Sequence, residues 1–236
     1  ADDDYYHGTG SEVIQTVTAS KIMIATGAAP RELPFAPFNG TTVIGSHDAM
    51  TLPKQPKSMV VIGSGAIGME FAYFYNAMGT DVTVVEMVDR ILPVEDEEIS
   101  AFAAKSFRKQ GMTLMTGAQV EKLDTSGKTA KVSVKTAKGK TETVEVDKVI
   151  LAIGIVGNVE NLGLEDLGVK VEKGHVVNDG FGRTNVKGLY AIGDVAGPPW
   201  LAHKASHEGV VCVEKIAGKD VHAFETGNIP GCTYCH

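Results

Sequence analysis

The chain has 236 residues, 43% hydrophobic and 22% charged, which suits one large or two modest packed domains and excludes a disordered or fibrous chain. Twenty-two Lys and Arg against 29 Asp and Glu leave a formal charge of −7, without the basic footprint of a nucleic-acid binder. Nor does the sequence hold a run of about 18 apolar residues or a basic amphipathic stretch that would engage a membrane.

The N-terminal ADDDYYHG has neither the positive nor the apolar region of a signal peptide, and three cysteines make no disulfide scaffold. The cytoplasm is the expected compartment. Residue 1 is Ala, and the chain stops at Cys235-His236 just after Pro230-Gly231, so it reads as an excerpt of a longer protein. Strand-like runs are expected at Val13 to Val17 and Lys21 to Ala25, the second leading into the turn Ala25-Thr26-Gly27. Pro30, Pro34, Pro37 and Gly40 then mark a turn-rich stretch, and His47-Asp48 opens a short helical piece.

From Met59 the pattern changes. A short apolar strand to Ile62 runs into Gly63-Ser64-Gly65, then into a helix from about Ala66 to Met78 with Gly79 placed to end it. An apolar strand from Val82 to Val85 and a helix from about Glu97 to Lys109 follow, the acids at 95 to 98 forming a solvated helix start. Alternation at 131–135 and 143–146 predicts an antiparallel ribbon around Gly139, and Val149 to Ile153 is a buried strand ending at Gly154. Short strands near 169–171 and 176–177 and an apolar strand from Leu189 to Ile192 precede Gly193-Asp194. A helix from about Leu201 to Ile216 completes the series. Helices and apolar strands in this order predict an α/β fold with a mostly parallel sheet.

Gly63-Ser64-Gly65-Ala66-Ile67-Gly68 is a G-x-G-x-x-G between strand and helix. The first glycine makes the tight turn, the second admits a pyrophosphate to the backbone, and the third lets helix pack on strand. The helix N-terminus adds free N–H groups and partial positive charge. Glu86 ends the next strand 23 residues after Gly63, where a carboxylate accepts from a ribose 2′-OH and repels a 2′-phosphate. NAD is therefore expected over NADP.

With these residues placed, the chain resembles the flavin-dependent pyridine-nucleotide disulfide oxidoreductases, most closely their dihydrolipoamide-oxidising branch. The segments that carry the resemblance are Ala25-Thr26-Gly27, Val61 to Glu70, Ala152-Ile153-Gly154, Tyr190 to Asp194 with Leu201 to Ala205, and Asn228 to Tyr234. It implies a Rossmann-like FAD/NAD-linked reductase fold with the NAD domain inserted between parts of the FAD domain. Residues 1–52 would close the first FAD segment, 53–156 would form the NAD-binding domain, 157–227 the second FAD segment, and 228–236 the start of a dimer-interface domain. Gly63, Ser64, Gly65, Ala66, Ile67, Gly68, Met69, Glu70, Glu86, Val120 and Gly154 would line the NAD site. Thr26, Gly27 and Ala28 would lie against FAD, Asp194 would accept from its hydroxyl groups, and Trp200, Leu201, Ala202 and His203 would open a helix facing the flavin ring. The resemblance also implies a homodimeric parent serving the acyltransferase of a 2-oxo acid dehydrogenase complex, with electrons passing from dihydrolipoamide through a disulfide and FAD to NAD+.

The sequence departs from that family at two levels. Ile155-Val156-Gly157-Asn158 stands where an Arg-x-Pro-Asn-like turn is usual. The 236 residues also lack the FAD glycine turn, the C-x4-C redox pair and the C-terminal His-Glu pair, so no catalytic residue is assigned within them. Alternatives are an NADH oxidase or other reductase of the same fold, or, for this chain alone, a non-catalytic dinucleotide-binding module. Cys232-Thr233-Tyr234-Cys235-His236 matches a haem-attachment spacing, but it has no second ligand pair and falls on an expected strand, so neither haem nor metal is expected. Cys212 sits among apolar helix positions and His207 is expected at the surface.

Overall fold

The computed structural model describes residues 15–235. Val13 and Ile14 of the first expected strand lie outside these residues, and 15–17 form no strand. β1 (Ile22–Ile24) is therefore the first described strand, and it leads into the Ala25-Thr26-Gly27 turn. β2 (Ala28–Pro30), β3 (Val43–Ile44) and a five-residue α1 (Ser46–Met50) follow, α1 having Gly45 at its N-cap and Asp48 bonded back to the Gly45 N–H.

The strand–helix pattern around the glycine turn forms as expected: β4 (Ser58–Ile62), α2 (Ala66–Ala77), β5 (Asp81–Val85) and α3 (Glu97–Lys109). β6 (Thr113–Met115), β7 (Gln119–Asp124), β8 (Ala130–Lys135), β9 (Thr141–Val146) and β10 (Lys148–Leu151) complete this half. Five of these strands form an all-parallel sheet in the order β3-β10-β4-β5-β6. The sheet recruits Val43–Ile44, upstream of Pro53. β7, β8 and β9 form a separate antiparallel meander.

Uninterrupted apolar strands follow from burial on both faces. On one face Met59, Val61, Val82, Val84 and Ile150 meet Met69, Ala72 and Tyr75 of α2 and Phe107 of α3. On the other, Val60, Ile62, Val85, Val149 and Leu151 meet Val132, Val134 and Val146 of the meander. At about 25 cal/mol per Å2 of apolar surface removed from water, each such valine contributes roughly 1.5 kcal/mol or more. Helices on one side and a meander on the other leave the strand ends uncovered.

The second half is built on β14 (Leu189–Ala191), which pairs in parallel with β1, Ile22 opposite Leu189. β11 (Ile155–Gly157) pairs antiparallel with β2, and β12 (Val171–Glu172) with β13 (His175–Val176). Ile24, Leu164, Val169, Val176, Leu189, Ala191 and Val195 form its core. A 3-10 turn, Gly193–Ala196, follows β14, and α4 (Ala202–Ile216) packs against it, beginning after Leu201.

In both halves the carboxyl ends of adjacent parallel strands bring the sequence motifs together. Gly63 and Glu86 end β4 and β5, and the turns after β1 and β14 lie side by side. Crevices at such strand ends are where open α/β sheets bind ligands.

Candidate functional site

The glycine turn after β4 fits its chemistry atom by atom. Gly63 has φ +99°, and a Cβ built there lies 2.4 Å from the Ala152 carbonyl oxygen, so both conformation and space require glycine. A Cβ on Gly68 meets the Gly63 carbonyl oxygen at 2.1 Å, which is how the third glycine lets α2 close onto its own turn. Gly65 differs from both. Its backbone is ordinary, at φ −67° and ψ −179°, and its Cβ would find nothing within 4 Å. Neither conformation nor packing inside the chain requires a glycine there; the bare face is turned outward.

The acid falls where the spacing predicts. Glu86 Oε2 accepts from both the backbone N–H and the hydroxyl of Ser64, each at 2.8 Å, and Oε1 accepts from the Val88 N–H at 3.0 Å. Ser64 is fully buried, and its carbonyl accepts from the Leu92 N–H at 2.8 Å. Ser100, also buried, donates its hydroxyl to the Leu92 carbonyl at 3.0 Å. The loop before α3 is thereby tied to the glycine turn.

Helix ends separate the candidates further. α3 caps itself, Asp96 accepting from the Glu98 and Ile99 N–H groups with Glu97 and Glu98 in its first turn. α2 and α4 begin with neither a side-chain cap bond nor a first-turn acid. Their first N–H groups and the positive dipole end are left for an anion or an electron-rich group.

On the other half, Thr26 and Asn158 form a reciprocal clamp. The Thr26 hydroxyl donates to the Asn158 carbonyl and the Asn158 side-chain amide donates to the Thr26 carbonyl, both at 2.8 Å. The Asn158 N–H also donates to the Gly27 carbonyl, and Gly27 has φ +73°. Asp194, half-buried, sits in the 3-10 turn. That turn is held by a cation: Lys204, 1% exposed, donates to the Gly193 and Gly197 carbonyls at 3.0 and 2.8 Å and pairs with Glu208 at 3.0 Å. The other Glu208 oxygen accepts from the Gly193 N–H at 2.7 Å. Trp200 stands before the helix, donating its indole N–H to His175 Nε2 at 3.2 Å and stacking on that ring. His203 is exposed, with Nε2 3.0 Å from the Pro230 carbonyl.

Comparison with known proteins decides the family. The pyridine nucleotide-disulphide oxidoreductase family profile matches residues 4–209. The chain belongs to the pyridine nucleotide-disulphide oxidoreductase family. It is 54% identical to a dihydrolipoyl dehydrogenase of Rhizobium etli over 222 residues, 94% of this chain and 46% of that one. A dihydrolipoyl dehydrogenase of Zymomonas mobilis is 50% identical over 92% of this chain and 47% of its own. Among solved structures, LpdA from Mycobacterium tuberculosis superposes with a TM-score of 0.83 at 31% identity, covering 92% of this chain and 47% of that one. The chain thus spans just under half the length of the relatives it matches.

Within this family setting, the structure brings Gly63 to Gly68 and Glu86 together at one pair of strand ends, and Thr26, Gly27, Ala28 and Asp194 at another, whereas Met69 is fully buried in the core under α2 because it lies on the helix face that packs on the sheet. Gly154 follows β10, with φ +102° and open space around its Cβ position. Val120 lies on β7 of the meander, 8% exposed and packed against the sheet core. Glu70 is the fifth residue of α2, past the first turn, and its Oε1 accepts from the Tyr234 N–H at 2.8 Å. Sequence reasoning missed Lys204, Glu208 and His175, and it read Asn158 only as a departure from pattern. The i,i+4 spacing of Lys204 and Glu208 was the available signal.

The C-terminal residues form no strand, contrary to expectation. Residues 231–235 lie over α2 and α3, turning at Thr233 whose carbonyl accepts from the Cys235 N–H, and Cys235 packs against the core between α2 and α3 because the apolar face of α3 offers a surface. Burial, with the Glu70 carboxylate adding to it, pushes the Cys235 thiol up to about 11, and burial also raises Cys212. Cys232 is exposed. A thiolate-specific reagent at pH 8 is therefore expected to label Cys232 first and to reach Cys235 and Cys212 only on unfolding, as peptide mass mapping would report. Equal labelling of Cys232 and Cys235 in the folded chain would contradict this packing.

Proposed function

We propose that this chain is the NAD(H)-binding part and a portion of the FAD bed of a dihydrolipoyl dehydrogenase, and that by itself it binds dinucleotide without turnover. The outward bare face of Gly65 carries the reading. Glycine suits Gly65 as the N-cap of α2, but neither backbone nor packing requires it, and a pyrophosphate lying against it accounts for the bare face, with the α2 N-terminus, free of side-chain cap bonds, supplying N–H donors. Residues 53–156 are read as the NAD domain, 1–52 and 157–227 as flavin-domain segments, and 228–236 as the entry to a dimer interface.

The donor set also suits FAD. Gly27 holds the turn beside β1, Asp194 offers a carboxylate at the adjacent strand end, and α4 directs an uncapped N-terminus across the same crevice. When bound, FAD supplies the two-electron relay between a dithiol and the nicotinamide. The chain's own contributions are positional: Thr26 and Asn158 fix the first turn, Lys204 and Glu208 fix the second, and the α4 dipole favours negative charge at the ring. Glu86 selects against a 2′-phosphate. In the parent, dihydrolipoamide carried by an acyltransferase of a 2-oxo acid dehydrogenase complex would be the reductant, the enzyme working as a homodimer in the cytoplasm. Identities of 54% and 50% to dihydrolipoyl dehydrogenases favour this reading over an NADH oxidase. Among the described residues no helix is long and apolar enough to cross a membrane.

Titration of the purified chain with NADH and NADPH, followed by nucleotide fluorescence, tests the proposal. Saturable NADH binding tighter than NADPH is expected, and absence of binding, or equal affinities, would overturn it. The visible spectrum after FAD is added and the excess removed assigns the flavin part. A retained flavin band supports the bed, whereas a colourless protein that binds NADH confines the chain to the nucleotide end.

A further inference from the structure

Glu86 reaches the crevice already engaged by the protein. A carboxylate offers roughly four lone-pair positions. Three protein donors fill most of them: the Ser64 N–H and hydroxyl on Oε2 and the Val88 N–H on Oε1. The backbone donors are present whatever residue occupies position 64. The hydroxyl is contributed by the side chain alone, from a residue with no solvent exposure. As the second donor to Oε2, it fixes the rotation of the carboxylate plane and leaves room for one further donor on Oε1.

We infer that Ser64 is a specificity-determining positioning residue. Its buried hydroxyl locks the Glu86 carboxylate beside the glycine turn, so that a ribose hydroxyl finds a fixed acceptor and a 2′-phosphate meets a charge that cannot swing away. Hydrogen bonds to a carboxylate from neutral donors hold it in place only jointly. With the hydroxyl removed, the carboxylate keeps only the Ser64 and Val88 N–H bonds, one on each oxygen, and is held less firmly against rotating outward to relieve the repulsion. The inference rests on reading Gly63 to Gly68 as an NAD turn.

The test compares the ratio of NADPH to NADH dissociation constants in the 236-residue chain, in Ser64→Ala, Ser64→Cys and Glu86→Ala, and in the Ser64→Ala/Glu86→Ala double variant. Loss of one charge-assisted hydrogen bond corresponds to roughly tenfold in such a ratio. The expected order is wild type, then Ser64→Cys, whose thiol keeps a weak donor in similar volume, then Ser64→Ala, with no further change in the double variant beyond Glu86→Ala. General damage to the turn would weaken both nucleotides together and leave the ratio unmoved, so the ratio separates positioning from packing. If Glu86→Ala collapses the ratio and both Ser64 variants keep it, Ser64 is not the determinant and the NAD assignment stands. Should the wild-type chain bind neither nucleotide, or both equally, the NAD assignment falls and this inference with it.

Discussion

Lys204→Met is expected to lower the melting temperature of the chain by roughly 6–20 °C, an estimate built from about 3–5 kcal/mol for breaking a buried ion pair and about 2–4 °C per kcal/mol in a chain of this size. Lys204 is 1% exposed, and its ammonium group satisfies two carbonyls of the 193–197 turn as well as Glu208. Methionine fills a similar length but leaves both carbonyls short of a donor and Glu208, itself only 11% exposed at its side chain, without its cation. Lys219→Met makes the control. Its pair with Glu214 is largely solvated, 63% and 35% exposed, and its loss is expected to change stability by less than about 1 kcal/mol. Equal melting temperatures for the two variants would show that the buried cation does not hold the turn.

Gly63→Ala is expected to destabilise the half holding the glycine turn by about 3 kcal/mol or more and to abolish NADH binding. Two effects add. The left-handed backbone at φ +99° is unfavourable by roughly 1–2 kcal/mol for a residue with a side chain, and the new Cβ would lie 2.4 Å from a backbone oxygen that cannot move without displacing β10. Chemical denaturation followed by circular dichroism measures the first consequence and the nucleotide titration the second. A variant with wild-type stability would mean that the turn relaxes in a way this packing does not allow.

The unit from β4 to α3 was legible in the sequence because each element carries its own signal: apolar runs for strands buried on both faces, glycines at the turn, and acids at the start of α3. Element ends agree within a residue or two at Ser58–Ile62, Ala66–Ala77 and Glu97–Lys109. β3 was not legible. A two-residue strand has no period, and Val43–Ile44 is a strand only because β10 lies beside it. β2 and β11 likewise depend on each other, Gly157 opposite Ala28. Within the Ile155-Val156-Gly157-Asn158 stretch, a Cβ on Gly157 would lie 2.6 Å from the Gly174 carbonyl, so that position requires glycine, and Asn158 spends its side chain on Thr26. Lys204 illustrates the limit most clearly. A lysine four residues before a glutamate on an amphipathic helix ordinarily faces water, and only the fold of the 193–197 turn back onto α4 buries it.

One substitution tests the central claim, that the open turn after β4 faces a nucleotide. Gly65→Ala places a methyl group in space the protein leaves empty, on a backbone that any residue can adopt. Stability should change by less than about 1 kcal/mol, since alanine restricts the unfolded chain more than glycine but is a poorer N-cap for α2. NADH affinity should fall by about tenfold or more, equivalent to about 1.4 kcal/mol, because the methyl stands where the pyrophosphate must approach. A Gly65→Ala chain that melts like the wild type and binds NADH equally well would contradict the account.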